Sequence, residues 1–259
     1  MGRIITLTTD FGTADGYVGE MKGVLLSAVP DAILTDITHA LAPQDVDAAR
    51  LTLARIWRRF PRGTIHVVVV DPGVGSSRAA LAVESDGRQL VGPDNGVLSP
   101  ALLSPGARVV SLPIPPDAAP TFHGRDVFAP AAAALARGRS VDSLGTPYAG
   151  AILRRTPEPH RLDTGQIAGE VIQIDRFGNV VTNLVGRRDM VVELGDRQLA
   201  VVRTYADVQS GEPLALIGSA GLIEIAVRDG NASESLGLSR GDRILTRHVY
   251  EAVRVSSHG

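Results

Sequence analysis

Residues 64–78 read TIHVVVVDPGVGSSR. From Thr64 to Val70 the run is β-branched and apolar almost without interruption, so it shows no alternation between a wet and a dry face. That pattern predicts a strand buried on both sides, the environment of a parallel sheet covered by helices. Asp71-Pro72-Gly73 then stops the strand abruptly, and Arg78 follows after one short Gly/Ser loop. Open α/β sheets bind ligands outside the carboxyl ends of their strands, which makes Asp71 and Arg78 the first candidate site residues.

Working outward, the residues before this strand alternate in type. RIITLTTD (3–10) reads as a strand. DGYVGEMKGVLLSAV (15–29) reads as a helix that Asp15 is placed to cap and that ends before Pro30. AILTDIT is a second strand. PQDVDAARLTLARIWRRF then sets Val46, Ala49, Leu53, Trp57 and Phe60 at helical spacing. After the central strand, AALAVES-DG-RQLVGP has a hairpin signature, because Asp86-Gly87 supplies two residues that tolerate positive φ. The alanine-rich APAAAALARG is a helix entering a packed layer. The expected N-terminal domain, residues 1–155, is therefore α/β, with a largely parallel central sheet flanked by helices and some antiparallel additions.

The texture changes at RRTPEPHRLDTGQ, where prolines and charges replace apolar periodicity, and residues 156–166 read as a linker. Beyond it come short β-rich runs separated by glycine turns: AGEVIQIDRFGNVVTNL, MVVELGDRQLAVVRTY, EPLALIG, GLIEIAV and GDRILTRHV. No long helical pattern intervenes. Residues 167–259 are expected to form a small all-β, barrel-like domain.

Composition narrows the function classes. The 259 residues include no cysteine, so disulfides, thiolate metal sites and cysteine nucleophiles are excluded. No leader-like succession opens the chain and no apolar run approaches membrane-spanning length, which reads as a soluble cytoplasmic protein without a membrane partner. A formal net charge of −2 and an aromatic content of 4% offer neither a field nor stacking platforms for nucleic acid.

Three strand ends carry similar polar residues: Asp10 in TLTTDFG, Asp71 in VVVVDPG, and Asp94 with Asn95 in LVGPDNG. Each alone is ordinary turn chemistry, since Asp and Asn before glycine cap nearby backbone N–H groups. Three at one sheet edge suggest a polar site. TFHGRDVF adds His123, with Arg125 and Asp126, ahead of the alanine-rich helix. Standard signatures are missing: there is no G-x-x-x-x-G-K-[ST] phosphate loop, no helix-opening G-x-G-x-x-G, no H-E-x-x-H and no G-x-S-x-G. The residues alone leave a polar site containing Asp10, Asp71, Arg78 and His123.

TLTTDFGTADGYVGEMKG, VVVVDPGVGSSR, VGPDNGVL, TFHGRDVFAPAAA, IDRFGNVVTN and LIEIAV, in that order, resemble the S-adenosyl-L-methionine (SAM) hydroxide adenosyltransferase family, the adenosine-forming SAM hydrolases related to fluorinase and chlorinase. The resemblance spans nearly the whole chain. It implies that water or hydroxide displaces methionine from ribose C5′ of SAM, giving adenosine and L-methionine, with SAM as substrate and neither cofactor nor metal required. An Asp-Arg-His set is held responsible in that family, and the matching positions are Asp71, Arg78 and His123. Asp10 matches the aspartate that takes both ribose hydroxyls. Asp175 matches a contact to the methionine ammonium, Phe177 and Asn179 match adenine contacts, Ser219 matches the residue meeting the methionine carboxylate, and backbone near Ala232 matches the adenine edge. The resemblance further implies a homotrimer whose sites lie at subunit interfaces.

One departure concerns halogenation: Asp71-Pro72-Gly73 stands where the halogenating relatives carry a Tyr-Pro-x-Thr-like halide segment, and a carboxylate there repels halide. Two readings from other classes stand beside hydrolysis. One is a Mg²⁺-dependent phosphohydrolase using Asp10, Asp71 and Asp94, and the other is a SAM- or nucleoside-binding module without turnover.

Overall fold

The computed structural model describes residues 2–248. The chain divides into two compact units, residues 1–155 and 156–259. The last stretch of the expected C-terminal domain, 249–259, lies outside the described residues.

In chain order, the first unit contains β1 (Ile4–Thr9), α1 (Tyr17–Ala28), β2 (Ile33–Thr38), α2 (Val46–Ile56), β3 (Ile65–Val69), β4 (Ala80–Ser85), β5 (Arg88–Pro93), α3 (Ser99–Leu102), β6 (Arg108–Leu112), α4 (Ala129–Ala136) and β7 (Thr146–Pro147). The sheet order is β2-β1-β3-β5-β4-β6-β7. Strands β2, β1, β3 and β5 pair in parallel, whereas β5–β4, β4–β6 and β6–β7 pair antiparallel. The sheet is thus mixed, which corrects the expectation of a largely parallel one. The reason is connection length, because a parallel return needs a crossover of a dozen or more residues. The chain instead turns from β4 into β5 through Asp86 (φ 46°) and Gly87 (φ 69°), and only a hairpin can form there.

Buried side chains explain the central run. Val67 and Val69 of β3 enter a core with Ile5, Leu7, Met21, Leu25 and Phe128, while Val68 and Val70 enter the opposite core with Leu53, Trp57, Leu81 and Leu90. Helices therefore cover both faces, and His66 is the one polar residue of the strand. The start of α1 departs from expectation: the residue preceding the helix is Gly16, which has no capping side chain, and Asp15 is exposed. Helix α2 is capped by Asp45, whose Oδ1 accepts from Ala48 N at 2.9 Å. Trp57 continues the buried stripe of α2 in a 3₁₀ turn.

The second unit contains β8 (His160–Arg161), β9 (Ile167–Ile174), β10 (Val180–Val185), β11 (Met190–Leu194), β12 (Arg197–Val202), β13 (Pro213–Ile217), β14 (Leu222–Val227), α5 (Ala232–Leu236) and β15 (Arg243–His248). The order β10-β14-β13-β12-β11-β15-β9 closes through β9–β10 into a seven-stranded barrel. Closure removes exposed sheet edges, the usual requirement of a small β domain. Val171, Val180, Ile223, Ile225 and Ile244 fill its interior. Within 156–166, His160 and Arg161 form β8, which pairs with β9 outside the closed ring. No helix among the described residues is long and apolar enough to cross a membrane.

Candidate active site

In the first unit, the ends of β1, β3 and β5 bring Asp10, Asp71 and Asp94 to the carboxyl edge of the parallel strands. Thr9 pairs with Val69, so Asp10 and Asp71 leave neighbouring strands nearly level. Beyond Asp71 the chain reverses. Gly75 adopts φ 76° and packs its backbone so closely on the Pro120 carbonyl that a Cβ there would lie 2.5 Å from that oxygen. Ser76 Oγ donates to Gly73 O at 2.7 Å, and the loop delivers Arg78 back to Asp71.

The guanidinium and carboxylate meet as a two-pronged fork: Nε donates to Oδ1 at 2.9 Å and Nη2 donates to Oδ2. Nη2 also lies 2.9 Å from His123 Nδ1, and Nη1 donates to Ala79 O at 3.3 Å. The arginine Cζ stands 5.5 Å from the centre of the Phe128 ring. The Arg78 and Asp71 side chains are only 9% and 5% exposed, so water does little to screen their charges. Each charge is matched by the other and by further hydrogen bonds, the condition under which a buried ion pair is tolerable.

His123 is buried at the start of a wide turn, Gly124–Phe128, in which Ala129 N reaches back five residues to Gly124 O. Such π turns often mark functional sites. Asp126 anchors the segment by accepting from Ala119 N at 2.9 Å and from Arg125 Nε at 2.6 Å. Burial, and then the positive charge of Arg78, lower the His123 pKa below its ordinary 6.5, against the opposing pull of Asp71 and Asp126. The site therefore favours a neutral imidazole.

Asp10 belongs to the same edge but makes no hydrogen bond to this trio among the described residues. Its Oδ2 accepts from Gln44 N at 2.7 Å, with Gln44 held at φ 68°. Asp94 turns away: Oδ1 accepts from Ile152 N at 2.7 Å and Oδ2 from Tyr148 Oη at 3.0 Å. Asp71 is held by Arg78 and Asp94 by Tyr148 and Ile152, and these carboxylates form no group of three that could hold a metal ion among the described residues.

In the second unit, the β9–β10 turn carries Asp175, Phe177 and Asn179. Asp175 Oδ1 accepts from Phe177 N at 2.8 Å and Asn179 N at 2.9 Å, while Oδ2 accepts from Asn179 Nδ2 at 3.0 Å. The carboxylate is thus engaged by its own turn. Phe177 and Asn179 line a pocket of about 450 Å³ with Tyr205, Val227, Asp229 and Gly230. Ala232, buried at the first turn of α5, follows this wall closely in sequence, whereas Ser219 is exposed in the β13–β14 turn and is not among the lining residues. Tyr205 and Gln44 carried no motif in the sequence, and only Gln44's position before the helix cap Asp45 marked it as a turn residue. Burial, with the negative charges of Glu224 and Asp175, raises the Tyr205 pKa.

Residues 5–145 match the SAM hydroxide adenosyltransferase N-terminal domain, and residues 169–245 match the C-terminal domain of the same family. An (R)-S-adenosyl-L-methionine hydrolase of Thermus thermophilus is 44% identical over 255 residues, covering 92% of this chain and 97% of the relative. One from Salinispora tropica is 38% identical over 254 residues, covering 93% of this chain and 96% of that protein. Among solved structures, a conserved protein from Thermotoga maritima superposes with a TM-score of 0.85 at 35% identity, covering 94% of this chain and all of the other.

Proposed function

The chain belongs to the SAM hydroxide adenosyltransferase family, and from that premise we propose that it hydrolyses SAM to adenosine and L-methionine by in-line attack of water at ribose C5′. The observation that carries the reading is the Asp71–Arg78–His123 constellation at the end of β3. The sulfonium already bears the positive charge, so it departs as a neutral thioether and needs no acid. Activating and aiming the water is the remaining task.

A guanidinium has donors only, so His123 Nδ1 must be the acceptor in its contact with Arg78 Nη2. The imidazole proton then resides on Nε2, and that nitrogen serves as a donor that orients the water. Asp71 is left as the base. Arg78 engages one site on each of its oxygens, while a carboxylate offers about four, so a lone pair remains for the water proton. Water with a pKa of about 15.7 is not deprotonated in advance by a carboxylate. The O–H bond breaks as the O–C5′ bond forms, the C5′–S pair leaves on sulfur, and the proton ends on Asp71. Arg78 offsets the negative charge developing on oxygen. Nothing in this sequence calls for a metal or a cofactor.

Asp10, with Oδ2 tied to Gln44, presents Oδ1 to adjacent ribose hydroxyls. Asp175 takes the ammonium, Phe177, Asn179 and backbone near Ala232 take adenine, and Ser219 takes the methionine carboxylate. Each unit by itself carries only part of this set, and Phe177 is 76% exposed in the single chain, unusual for a phenyl ring. The exposed ring supports a covering partner at this pocket, and the homotrimer with sites shared between subunits is carried over from the family. The absence of cysteine fits a cytoplasmic setting. The named relatives act on the (R) form, and since the α-carbon is already specified as L, the label denotes the sulfonium configuration. This chain is assigned the same epimer.

The test is incubation with each sulfonium epimer in oxygen-18 water, with and without EDTA. Label in the adenosine 5′-hydroxyl, EDTA-insensitive and faster for the (R) form, is the expected result. Label elsewhere, or turnover restored only by Mg²⁺, overturns it. Added chloride or fluoride should yield no 5′-halo-deoxyadenosine, as the Asp71 carboxylate predicts.

A further inference from the structure

The Asp94-Asn95 pair that ends β5 is unused by the mechanism above, yet it touches both ends of the Asp71–Arg78 loop. Gln89 N donates to Thr64 O at 3.0 Å, and the parallel ladder between β3 and β5 runs on to the pairing of Val67 with Val91. The next donor along β5 would be residue 93, which is proline and has no N–H. Gly92 lies so close to Val68 O that any Cβ would overlap it, so β5 still presses on β3 where the ladder has lost its rung.

At the following step the side chain takes over. Asn95 Nδ2 donates to Val70 O at 2.8 Å, and its Oδ1 accepts from Val97 N at 3.1 Å, closing the turn. Val70 is the residue immediately before Asp71. On the other flank, Asp94 N donates at 2.9 Å to the carbonyl of Ala79, the residue immediately after Arg78. Loop 71–78 is therefore clamped at its entry by an amide side chain and at its exit by a backbone N–H. The clamp itself is immobilised, because the Asp94 carboxylate is held by Tyr148 and Ile152.

We infer that Asn95 is a positioning residue for hydrolysis: one step beyond the rung that Pro93 cannot make, its amide ties the chain after β5 back to β3 and holds Val70, and through it the Asp71 carboxylate, in register with Arg78 and His123. The inference rests on Asp71 and Arg78 being the water-activating pair. Both ends of the Asn95 amide are engaged by backbone groups, so its loss should misplace the base without removing a binding group.

Asn95→Asp separates the two roles of the side chain. It keeps an oxygen for Val97 N but sets a carboxylate oxygen against Val70 O where a donor stood. If the amide positions Asp71, kcat falls about 10- to 100-fold while KM for SAM stays within about threefold. Asn95→Ser, which retains a turn-capping oxygen and gives up the amide, should show the same split and covers the case in which Asn95→Asp does not fold. Parental kcat in either folded variant overturns the inference, as does a loss in which kcat and KM worsen together with the melting temperature. A parent chain that leaves SAM intact would sink the hydrolase reading itself, an outcome distinct from a parent and an Asn95→Asp variant that turn over equally fast.

Discussion

Arg78 Nη2 approaches His123 Nδ1 at 2.9 Å, and this one contact decides the protonation of the imidazole. While a pure donor occupies Nδ1, a proton cannot bind there. Burial and the arginine charge both lower the His123 pKa from 6.5. The expected outcome is that His123 stays neutral as pH falls through 6.5, so kcat shows no loss assignable to histidine protonation there. Two-dimensional NMR of the imidazole nitrogens checks this: a titration centred near the ordinary value, or a proton found on Nδ1, contradicts the assignment.

Replacing the fork should cost rate rather than affinity. Arg78→Lys keeps the charge but cannot donate in parallel to both Asp71 oxygens and also reach His123. Asp71→Asn removes the acceptor for the water proton. Each should lower kcat by roughly 10²- to 10⁴-fold, while SAM still binds by calorimetry. A variant that loses binding and retains kcat would assign the residue to substrate recognition instead.

A second histidine sets an acid limit on stability. His66 is fully buried in β3, its Nδ1 lies 2.8 Å from Thr6 Oγ1, and burial, reinforced by the charge of Arg88, lowers its pKa to about 4. The unfolded chain takes up this proton near 6.5 and the folded chain only near 4, so the stability is present above pH 6.5 and is withdrawn as pH falls to about 4. The loss should amount to about 3 kcal/mol. Urea melts across that window should show a steeper acid decline for the parent than for His66→Gln, and equal slopes would refute the assignment.

Gly178 supports the pocket of the second unit. It adopts φ 80°, a Cβ would overlap the Asn231 side chain, and Ser233 N donates to its carbonyl at 3.0 Å. Asn231 in turn caps α5 by accepting from Glu234 N at 3.1 Å. Gly178→Ala should force the Phe177 turn off the helix and weaken adenosine binding about tenfold, equivalent to about 1.4 kcal/mol. Calorimetric titration with adenosine measures it, and an unchanged Kd would separate the turn from the nucleoside site.

The sequence made some of this architecture readable and hid the rest for physical reasons. The apolar run into β3 was legible because both faces of that strand are covered, and Asp86-Gly87 announced its hairpin through backbone chemistry. The antiparallel half of the sheet was less legible, since β6 and β7 carry no signal of direction and their pairing is set by tertiary context. Asp15 looked like a helix cap but is exposed ahead of Gly16, while the cap that does form, Asp45, starts α2. Asp71, Arg78 and His123 were picked out by strand-end position and resemblance, and the structure brings them into contact. Asp94 and Asn95 read as one motif with Asp10 and Asp71, yet Asn95 bonds backbone groups and Asp94 a backbone N–H and the Tyr148 hydroxyl. That distinction depends on Tyr148, Ile152 and Val70, which no local pattern connects to them.

The wide turn at Gly124–Phe128 holds one residue more per turn than an ordinary helix. A turn closed over five residues sweeps about the same angle as an α turn closed over four, so the extra position is taken up inside the turn and the helix beyond it keeps its phase. The irregularity is thus confined to the backbone beside His123, and the alanine-rich α4 behind it still presents Ala129, Ala132 and Ala133 to the buried core.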